Sequence, residues 1–133
     1  MDDKQNLRGV CVLVVEDDLD TLEMLKVILQ DRGAEVDTAP SAGDALQALD
    51  HSLPDAIVSD LAMPEQDGYE LIELIRQRGP ERGGNIPAVA LTAYTRVEDR
   101  VRALTAGFQI YVPKPVDSNE LVAVVANLTH VRH

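Results

Sequence analysis

Acidic side chains in this chain follow directly after short apolar segments. Glu16 and Asp17 come after residues 10–15, and Asp60 comes after residues 56–59. If both segments are neighbouring strands of one sheet, these carboxylates converge at its carboxyl edge. Two carboxylates about 5 Å apart repel by roughly 3 kcal/mol at an effective dielectric of about 20, so three require compensation. Because hard oxygen ligands without nearby His or Cys favour Mg²⁺, the pattern predicts a magnesium site.

The acidic run also has a simpler interpretation. Carboxylates are favourable near the N-terminus of a helix, and this accounts for Asp18 and Asp20. It does not account for Asp60, which stands between an apolar strand and a turn. For the three carboxylates together we therefore prefer the metal site.

Short apolar segments alternate with longer segments of helical period, a pattern typical of a parallel α/β sheet. The strands are predicted at residues 10–15, 35–39, 56–59, 88–91 and 110–112. The nearly continuous apolar character of the first, third and fourth indicates strands that are covered on both faces. We predict a doubly wound, five-stranded parallel sheet, flavodoxin-like (βα)5, with strand order 2-1-3-4-5.

Five predicted helices follow the strands, and capping residues or glycines mark their ends. The first covers residues 19–32. The end markers are Gly33 for the first helix, Ser41 and Asp44 for the second, Asp67-Gly68 for the third, Thr95, Glu98 and Gly107 for the fourth, and Asp117 for the fifth. The residues predicted to be buried are Leu22, Leu25, Ile28 and Leu29 in the first helix, Tyr69, Ile72 and Ile75 in the third, and Leu121, Val124, Val125 and Leu128 in the fifth.

The composition excludes several classes of protein. Acidic residues outnumber basic ones 23 to 12, and a net charge of −11 would repel nucleic acids and anionic membranes. No apolar run approaches the roughly 18 residues of a membrane span, and the polar start is unlike a signal peptide. We expect a cytoplasmic protein with no membrane insertion and no direct nucleic-acid binding. The single Cys11 is predicted to be an unreactive core thiol.

Four segments resemble the response-regulator receiver family of two-component signalling. They are Val12-Leu-Val-Val-Glu-Asp-Asp, Asp60-Leu-Ala-Met-Pro-Glu-Gln-Asp-Gly68, Ala90-Leu-Thr-Ala93, and Ala106-Gly-Phe-Gln-Ile-Tyr-Val-Pro-Lys-Pro115. The resemblance covers residues 9–129, which we predict to be one receiver domain between an N-terminal extension, 1–8, and a C-terminal tail, 130–133. Residues 79–85 are interpreted as a long connection within it.

The resemblance implies a phosphorylation switch whose phosphate acceptor is Asp60. It implies that Asp17 binds Mg²⁺ directly together with Asp60, that Glu16 acts through water, and that the backbone carbonyl of Ala62 completes the ligands. Lys114, held by a cis bond to Pro115, would pair with the phosphoryl group.

The family's switch residues would be Thr92, whose hydroxyl bonds the phosphoryl group, and Tyr111, the switch aromatic. The donor would be a histidine kinase or a histidine phosphotransfer domain, and pairing of two copies would use helix 4, strand 5 and helix 5. Ala62 and Tyr94 occupy positions that modulate phosphate lifetime in the family, and these residue types predict slow self-dephosphorylation. Gln109-Ile110 departs from many relatives and leaves the partner surface open.

Several alternatives remain at this point. A phosphatase or phosphotransferase with an aspartyl phosphate would need a second acid where Ala62 stands. A flavin carrier would need a Gly- and hydroxyl-rich loop where the acidic run stands. A receiver-like interaction module that works without phosphorylation is the remaining alternative. No output domain is recognised, so we expect a stand-alone regulator or a receiver taken from a larger protein. Residues 82–117 are similar to receivers of hybrid histidine kinases.

Overall fold

Strands and helices alternate along the chain, as the sequence predicts. The structure is a computed structural model, and it describes residues 6–63, 67–93 and 96–130. The strands are β1 (Cys11–Val15), β2 (Glu35–Ala39), β3 (Ala56–Asp60), β4 (Ala88–Thr92) and β5 (Ile110–Pro113). The helices are α1 (Leu19–Gln30), α2 (Ala42–His51), α3 (Gly68–Arg76), α4 (Val97–Ala106) and α5 (Ser118–His130). A short 3₁₀ helix, Pro80–Arg82, lies within the predicted long connection.

All strand pairs are parallel, and the order β2-β1-β3-β4-β5 confirms the predicted flavodoxin-like fold. The register aligns Val15 with Ser59, and Asp60 with Leu91. The carboxyl ends of β1, β3 and β4 therefore lie side by side at one edge of the sheet. The residues that follow β1 are thus brought next to the end of β3.

Apolar side chains cover both faces of the sheet. One cluster joins the sheet to α2, α3 and α4, and the other joins it to α1 and α5. All residues of β3 and β4 are buried, which confirms the prediction drawn from their apolar sequences. The edge strand β2 instead exposes Glu35 and Asp37, and the other edge strand, β5, ends at the half-exposed Pro113.

Several local predictions need correction. Cys11 is half-buried because β1 begins at this residue beside the exposed edge strand. Its Sγ lies 3.8 Å from a carboxylate oxygen of Glu35. Burial, and then the negative charge of Glu35, raise the pKa of this thiol, which agrees with the predicted lack of reactivity.

The buried face of α5 is rotated from the predicted one. Val122 and Ala126 are buried with Leu121 and Val125, whereas Val124 and Leu128 are only partly covered. In α1, Ile28 is likewise partly buried, and the helix ends at Gln30. The reason is that packing against the sheet, which periodicity alone does not encode, sets the rotation of each helix.

The start of α4 also differs from the prediction. Its N-cap is Arg96, which makes no side-chain capping bond. Thr95, predicted to cap this helix with Glu98, lies outside the described residues, as does Tyr94. A complete capping box instead opens α3, where Asp67 and Glu70 each accept a hydrogen bond from the other's backbone N–H.

Packed residues lie on both sides of the predicted domain range 9–129. Leu7 is fully buried, and its backbone N–H donates to the carbonyl of Arg32. At the other end, α5 continues to His130. Among the described residues, no helix is both long and apolar enough to cross a bilayer.

One half-buried arginine ties α3 to the start of β5. The guanidinium of Arg76 donates to the carbonyls of Gly107 and Gly84 at 2.8–3.0 Å, and to the side chain of Gln109 at 3.1 Å. The same Gln109 oxygen accepts the backbone N–H of Ala88 at 2.7 Å. Burial lowers the pKa of Arg76. Gln109 therefore has a structural role as a partner of Arg76 and of the backbone of Ala88.

Candidate functional site

Three carboxylates meet at the carboxyl edge of the sheet. Glu16 and Asp17 follow β1, and Asp60 is the last residue of β3. One carboxylate oxygen of each lies within 4.8 Å of the others. Glu16 and Asp60 are 1% and 3% exposed, whereas Asp17 is exposed. The convergence of these three side chains, predicted from the strand order, is confirmed.

Lys114 reaches this cluster from the loop after β5. Its Nζ lies 3.0 Å from Oδ1 of Asp60 and 3.3 Å from Oε1 of Glu16. The peptide bond between Lys114 and Pro115 is cis. The two ion-pair distances show that the ammonium points into the cluster, where it pairs with the carboxylate at the end of β3 and with the one that follows β1.

The charges of the cluster perturb its titration. Burial raises the pKa of Glu16, and the negative charge of Asp60 adds to this effect. The backbone N–H of Asp18 and the ammonium of Lys114 oppose it. Burial alone would lower the pKa of Lys114, but its hydrogen bond to Asp60 and the nearby charge of Glu16 outweigh burial and raise it.

The backbone around Asp60 is held in a close fit. Leu61 donates its N–H to the carbonyl of Leu91, and the N–H of Gly68 donates to the carbonyl of Leu61. A Cβ at position 68 would lie 2.4 Å from the carbonyl oxygen of Asp60, so only glycine fits this contact. The first turn of α3 therefore rests directly on the backbone of the acceptor candidate.

Thr92 and Tyr111 occupy the adjoining strands. Thr92 ends β4 and is 4% exposed. Tyr111 lies in β5, two residues before Pro113, which is paired with Thr92 in the sheet. Its ring is half-buried against the apolar cluster that joins the sheet to α2, α3 and α4. Their predicted roles in switching remain predictions, as does the role of the backbone carbonyl of Ala62, an exposed residue in the loop after β3.

The residues present fit a divalent cation. Three carboxylates against one ammonium leave two negative charges unbalanced within this group. At separations below about 5 Å, such repulsion is worth roughly 3 kcal/mol for each pair at an effective dielectric of about 20. All the donors are hard oxygen atoms, which is the ligand chemistry that Mg²⁺ prefers.

Some residues around the site were not singled out from the sequence. Gly68 was predicted only as part of a turn, although its place after the acidic segment could have indicated a close approach. Arg100 lies over the ring of Tyr111, and Arg102 lies over the ring of Tyr69. Nothing in the sequence distinguishes these two arginines from others on a solvent-exposed helix.

Comparison with known proteins decides the family. The family model described as the response regulator receiver domain matches residues 12–126, which include all seven of the site residues predicted from the sequence. The chain belongs to the response regulator receiver family. This membership is consistent with the predicted resemblance and with the two-component class, and it argues against a flavin carrier.

The receiver is similar to proteins of several bacteria. It is 50% identical over 121 residues to an uncharacterized 14.6 kDa protein from the sodA1 3′ region of Leptolyngbya boryana, and the match covers 91% of each chain. It is 35% identical to the response regulator Rre1 of Synechocystis, with 90% of this chain and 51% of that regulator covered. The chain thus spans about half the length of that regulator.

A solved structure gives the same fold. The receiver domain of the sensor histidine kinase PA1611 from Pseudomonas aeruginosa, described with a magnesium ion coordinated in its active-site cleft, is 30% identical. It superposes with a TM-score of 0.83 and covers 92% of this chain and 98% of that one.

Proposed function

We propose that this receiver is a phosphoacceptor switch that takes a phosphoryl group onto Asp60. The observation that supports this most directly is the position of the Lys114 ammonium, 3.0 Å from Asp60, beside the carboxylates of Glu16 and Asp17. Asp60 is almost fully buried beside this cluster, and its ion pair with Lys114 orients its carboxylate.

The proposed reaction transfers a phosphoryl group from a histidine nitrogen of the donor to a carboxylate oxygen of Asp60. An oxygen of Asp60 forms a new bond to phosphorus while the bond from phosphorus to the donor's histidine nitrogen breaks. That nitrogen keeps the bonding electron pair and takes up a proton, and no electrons are exchanged with an outside reagent. Lys114 pairs with the oxygens of the transferred group, and Thr92 donates its hydroxyl to one of them.

A cation fits the same arrangement. Asp17 and Asp60 would bind Mg²⁺ directly, with Glu16 acting through water and the carbonyl of Ala62 as a further ligand. When bound, the ion supplies charge neutralisation to the transferring group. The proximity of their carboxylate oxygens, all within 4.8 Å of one another, supports a shared cation at this place.

Phosphoryl transfer would change the contacts of Thr92 and so shift the equilibrium between two conformations of the receiver. Its hydroxyl gains a phosphoryl oxygen as a partner, which gives a contact that differs between the two states. Movement of Thr92 would open space for the half-buried ring of Tyr111 to turn inward. The change would then reach α4 and β5, the elements around that ring.

The partners follow from this role. The donor would be a histidine kinase or a histidine phosphotransfer domain, and the proposed location is cytoplasmic. The similarity to the receiver of the sensor histidine kinase PA1611 supports an origin in a larger histidine kinase. The match along 91% of the 14.6 kDa Leptolyngbya protein supports a stand-alone regulator. The net charge of −11 supports the proposal that the receiver does not bind nucleic acid directly.

A second copy of the receiver is the proposed partner for α4, β5 and α5. Val97, Val101 and Leu104 lie along the outer face of α4 and are each more than half exposed. Sedimentation velocity before and after phosphorylation tests this pairing. Val101→Glu should prevent any dimer, and a wild-type receiver that stays monomeric at high concentration in both states would exclude it.

The phosphoacceptor proposal is tested with Mg²⁺ and acetyl phosphate, followed by intact-mass measurement. We expect a gain of one phosphoryl group that is released by hydroxylamine. Asp60→Asn should abolish the gain, and the matched variant Asp37→Asn, on the exposed edge strand, should keep it. If the wild type takes up nothing from acetyl phosphate or from a histidine phosphotransfer domain, a module that works without phosphorylation becomes the better interpretation.

A further inference from the structure

Helix α4 is held by few apolar contacts. All ten residues of this helix are described, and Ala103 is the only one of them that is buried. Its larger apolar side chains, Val97, Val101 and Leu104, are 61%, 54% and 51% exposed. Something other than core packing must therefore fix the position of this helix over β4 and β5.

Two arginines of α4 contact aromatic rings on different neighbours. The guanidinium carbon of Arg102 lies 3.8 Å from the ring centre of Tyr69 in the first turn of α3. That of Arg100 lies 5.7 Å from the ring centre of Tyr111 in β5. Both distances fall within the roughly 6 Å over which a cation is attracted to the face of a ring. Each arginine thus joins α4 to one element of the site.

The surroundings of Arg100 show that its contact with the ring is more than surface proximity. Its Nε is buried and has no hydrogen-bond partner among the described residues. Asp99, the adjacent acid on α4, pairs instead with Arg96 at 3.2 Å. Burial of an N–H without a partner is costly, so the guanidinium needs another source of stabilisation. Within the described part of the chain, the ring of Tyr111 is the aromatic group that lies against this guanidinium.

We propose that Arg100 is a positioning residue for Tyr111, and that their contact holds the ring in its half-buried position. The inference rests on the proposed function, in which Tyr111 turns inward after transfer to Asp60. A ring that is fully buried cannot keep its face against a guanidinium on the outer side of the strand. The contact therefore favours the half-buried ring, and its loss favours the inward one.

The ring position is tested without any phosphoryl donor. The chain has three tyrosines, so 3-fluorotyrosine labelling gives three ¹⁹F resonances, which single Tyr→Phe variants assign. Arg100→Met should shift the resonance of Tyr111. The matched variant Arg102→Met, with the same change of charge on the same helix, should shift that of Tyr69 and leave Tyr111 in place. Arg100→Lys, which keeps the charge, should give an intermediate shift.

The second measurement is the rate of phosphorylation by acetyl phosphate. In Arg100→Met, the population of the inward ring and the rate should both rise about two- to fivefold, the factor expected from loss of one weak cation–π contact. An unchanged Tyr111 resonance, an equal effect of Arg102→Met, or a slower reaction with a native circular dichroism spectrum would overturn the proposal. If no variant accepts a phosphoryl group, the proposed function fails, and the ¹⁹F result still decides whether Arg100 positions the ring.

Discussion

The ammonium of Lys114 lies between two carboxylates at the carboxyl ends of neighbouring strands, 3.0 Å from Asp60 and 3.3 Å from Glu16. Charge-assisted contacts of this length are stronger than neutral hydrogen bonds. The same ammonium, however, competes with any cation for the negative charge of the cluster. Lys114 should therefore assist phosphoryl transfer and weaken the binding of Mg²⁺ at the same time.

Removal of the Lys114 charge separates these two effects. Lys114→Met should bind Mg²⁺ at least about tenfold more tightly, because a positive charge leaves the cluster. Its rate of phosphorylation should fall at least about tenfold, through loss of a charge-assisted contact of about 1.5 kcal/mol or more. Isothermal titration calorimetry and intact-mass kinetics measure the two quantities. Lys26→Met on α1 is the control, and a parallel fall of affinity and rate would contradict this account.

The burial of Glu16 predicts that the free energy of unfolding of the metal-free protein depends on pH. Because its pKa is raised in the folded state, the folded protein holds this proton more strongly than the unfolded chain does. Stability is therefore lost as the pH rises from the ordinary pKa of glutamate, 4.5, through the higher folded value.

Glu16→Gln should remove this loss. Its stability advantage over the wild type in urea denaturation with EDTA should be small below pH 4.5, should grow as the pH rises, and should then level off. The control Glu23→Gln, exposed on α1, should show no such trend. An advantage that is constant with pH would rule out titration of Glu16 as its source.

The contact between Gly68 and the backbone of Asp60 predicts a local requirement for glycine. Gly68→Ala places a Cβ 2.4 Å from a carbonyl oxygen and 2.9 Å from the Cα of Leu61, so the backbone must move. We expect a loss of about 1–3 kcal/mol in the free energy of unfolding, together with slower phosphorylation. Gly43→Ala, in α2, meets nothing closer than 3.9 Å and should instead stabilise the protein by about 0.5–1 kcal/mol. Similar effects of the two substitutions would argue against this close fit.

The hydrogen bonds of Arg76 predict that lysine cannot replace it. Arg76→Lys keeps the charge but loses the planar guanidinium that reaches Gly84, Gly107 and Gln109 together. We expect a loss of about 2–3 kcal/mol, measured by urea denaturation. Arg82→Lys, on an exposed side chain with a 3.8 Å ion pair, should change stability by less than about 0.5 kcal/mol. A loss for Arg76→Lys as small as this control would show that the network contributes little.

The lifetime of the phosphorylated receiver should depend on Ala62. The small apolar side chain offers no group to orient an attacking water, so we predict slow self-dephosphorylation of the wild type. Ala62→Asn supplies an amide and should shorten the half-life about fivefold, the factor of one hydrogen bond of about 1 kcal/mol. Decay of the phosphorylated mass after removal of the donor gives the half-life. A wild-type half-life of only seconds would contradict the prediction.

The sheet and the acidic cluster could be predicted because local signals agree with the fold. All five strands were predicted to within one residue at each end, and the strand order places Glu16 and Asp17 near Asp60. The family segments added Lys114, whose ammonium does reach the cluster.

The features that escaped prediction depend on how elements pack. The rotation of α5, which buries Val122 rather than Val124, is set by the sheet beneath it. Arginine is usually a surface residue, but the guanidinium groups of Arg76 and Arg100 contact partners that lie farther along the sequence, Gly107 and Tyr111. Periodicity and capping rules act over a few residues and contain no information about such partners.

The two free margins of the sheet bear on how the protein behaves at high concentration. Unpaired backbone groups along a margin are a template on which another chain can add a strand, the usual route to ribbon-like aggregates. Glu35 and Asp37 place negative charge along one margin, and Pro113 removes a donor from the other. Both edges thus disfavour the addition of a strand from another molecule. The protein should therefore resist aggregation through backbone pairing at high concentration.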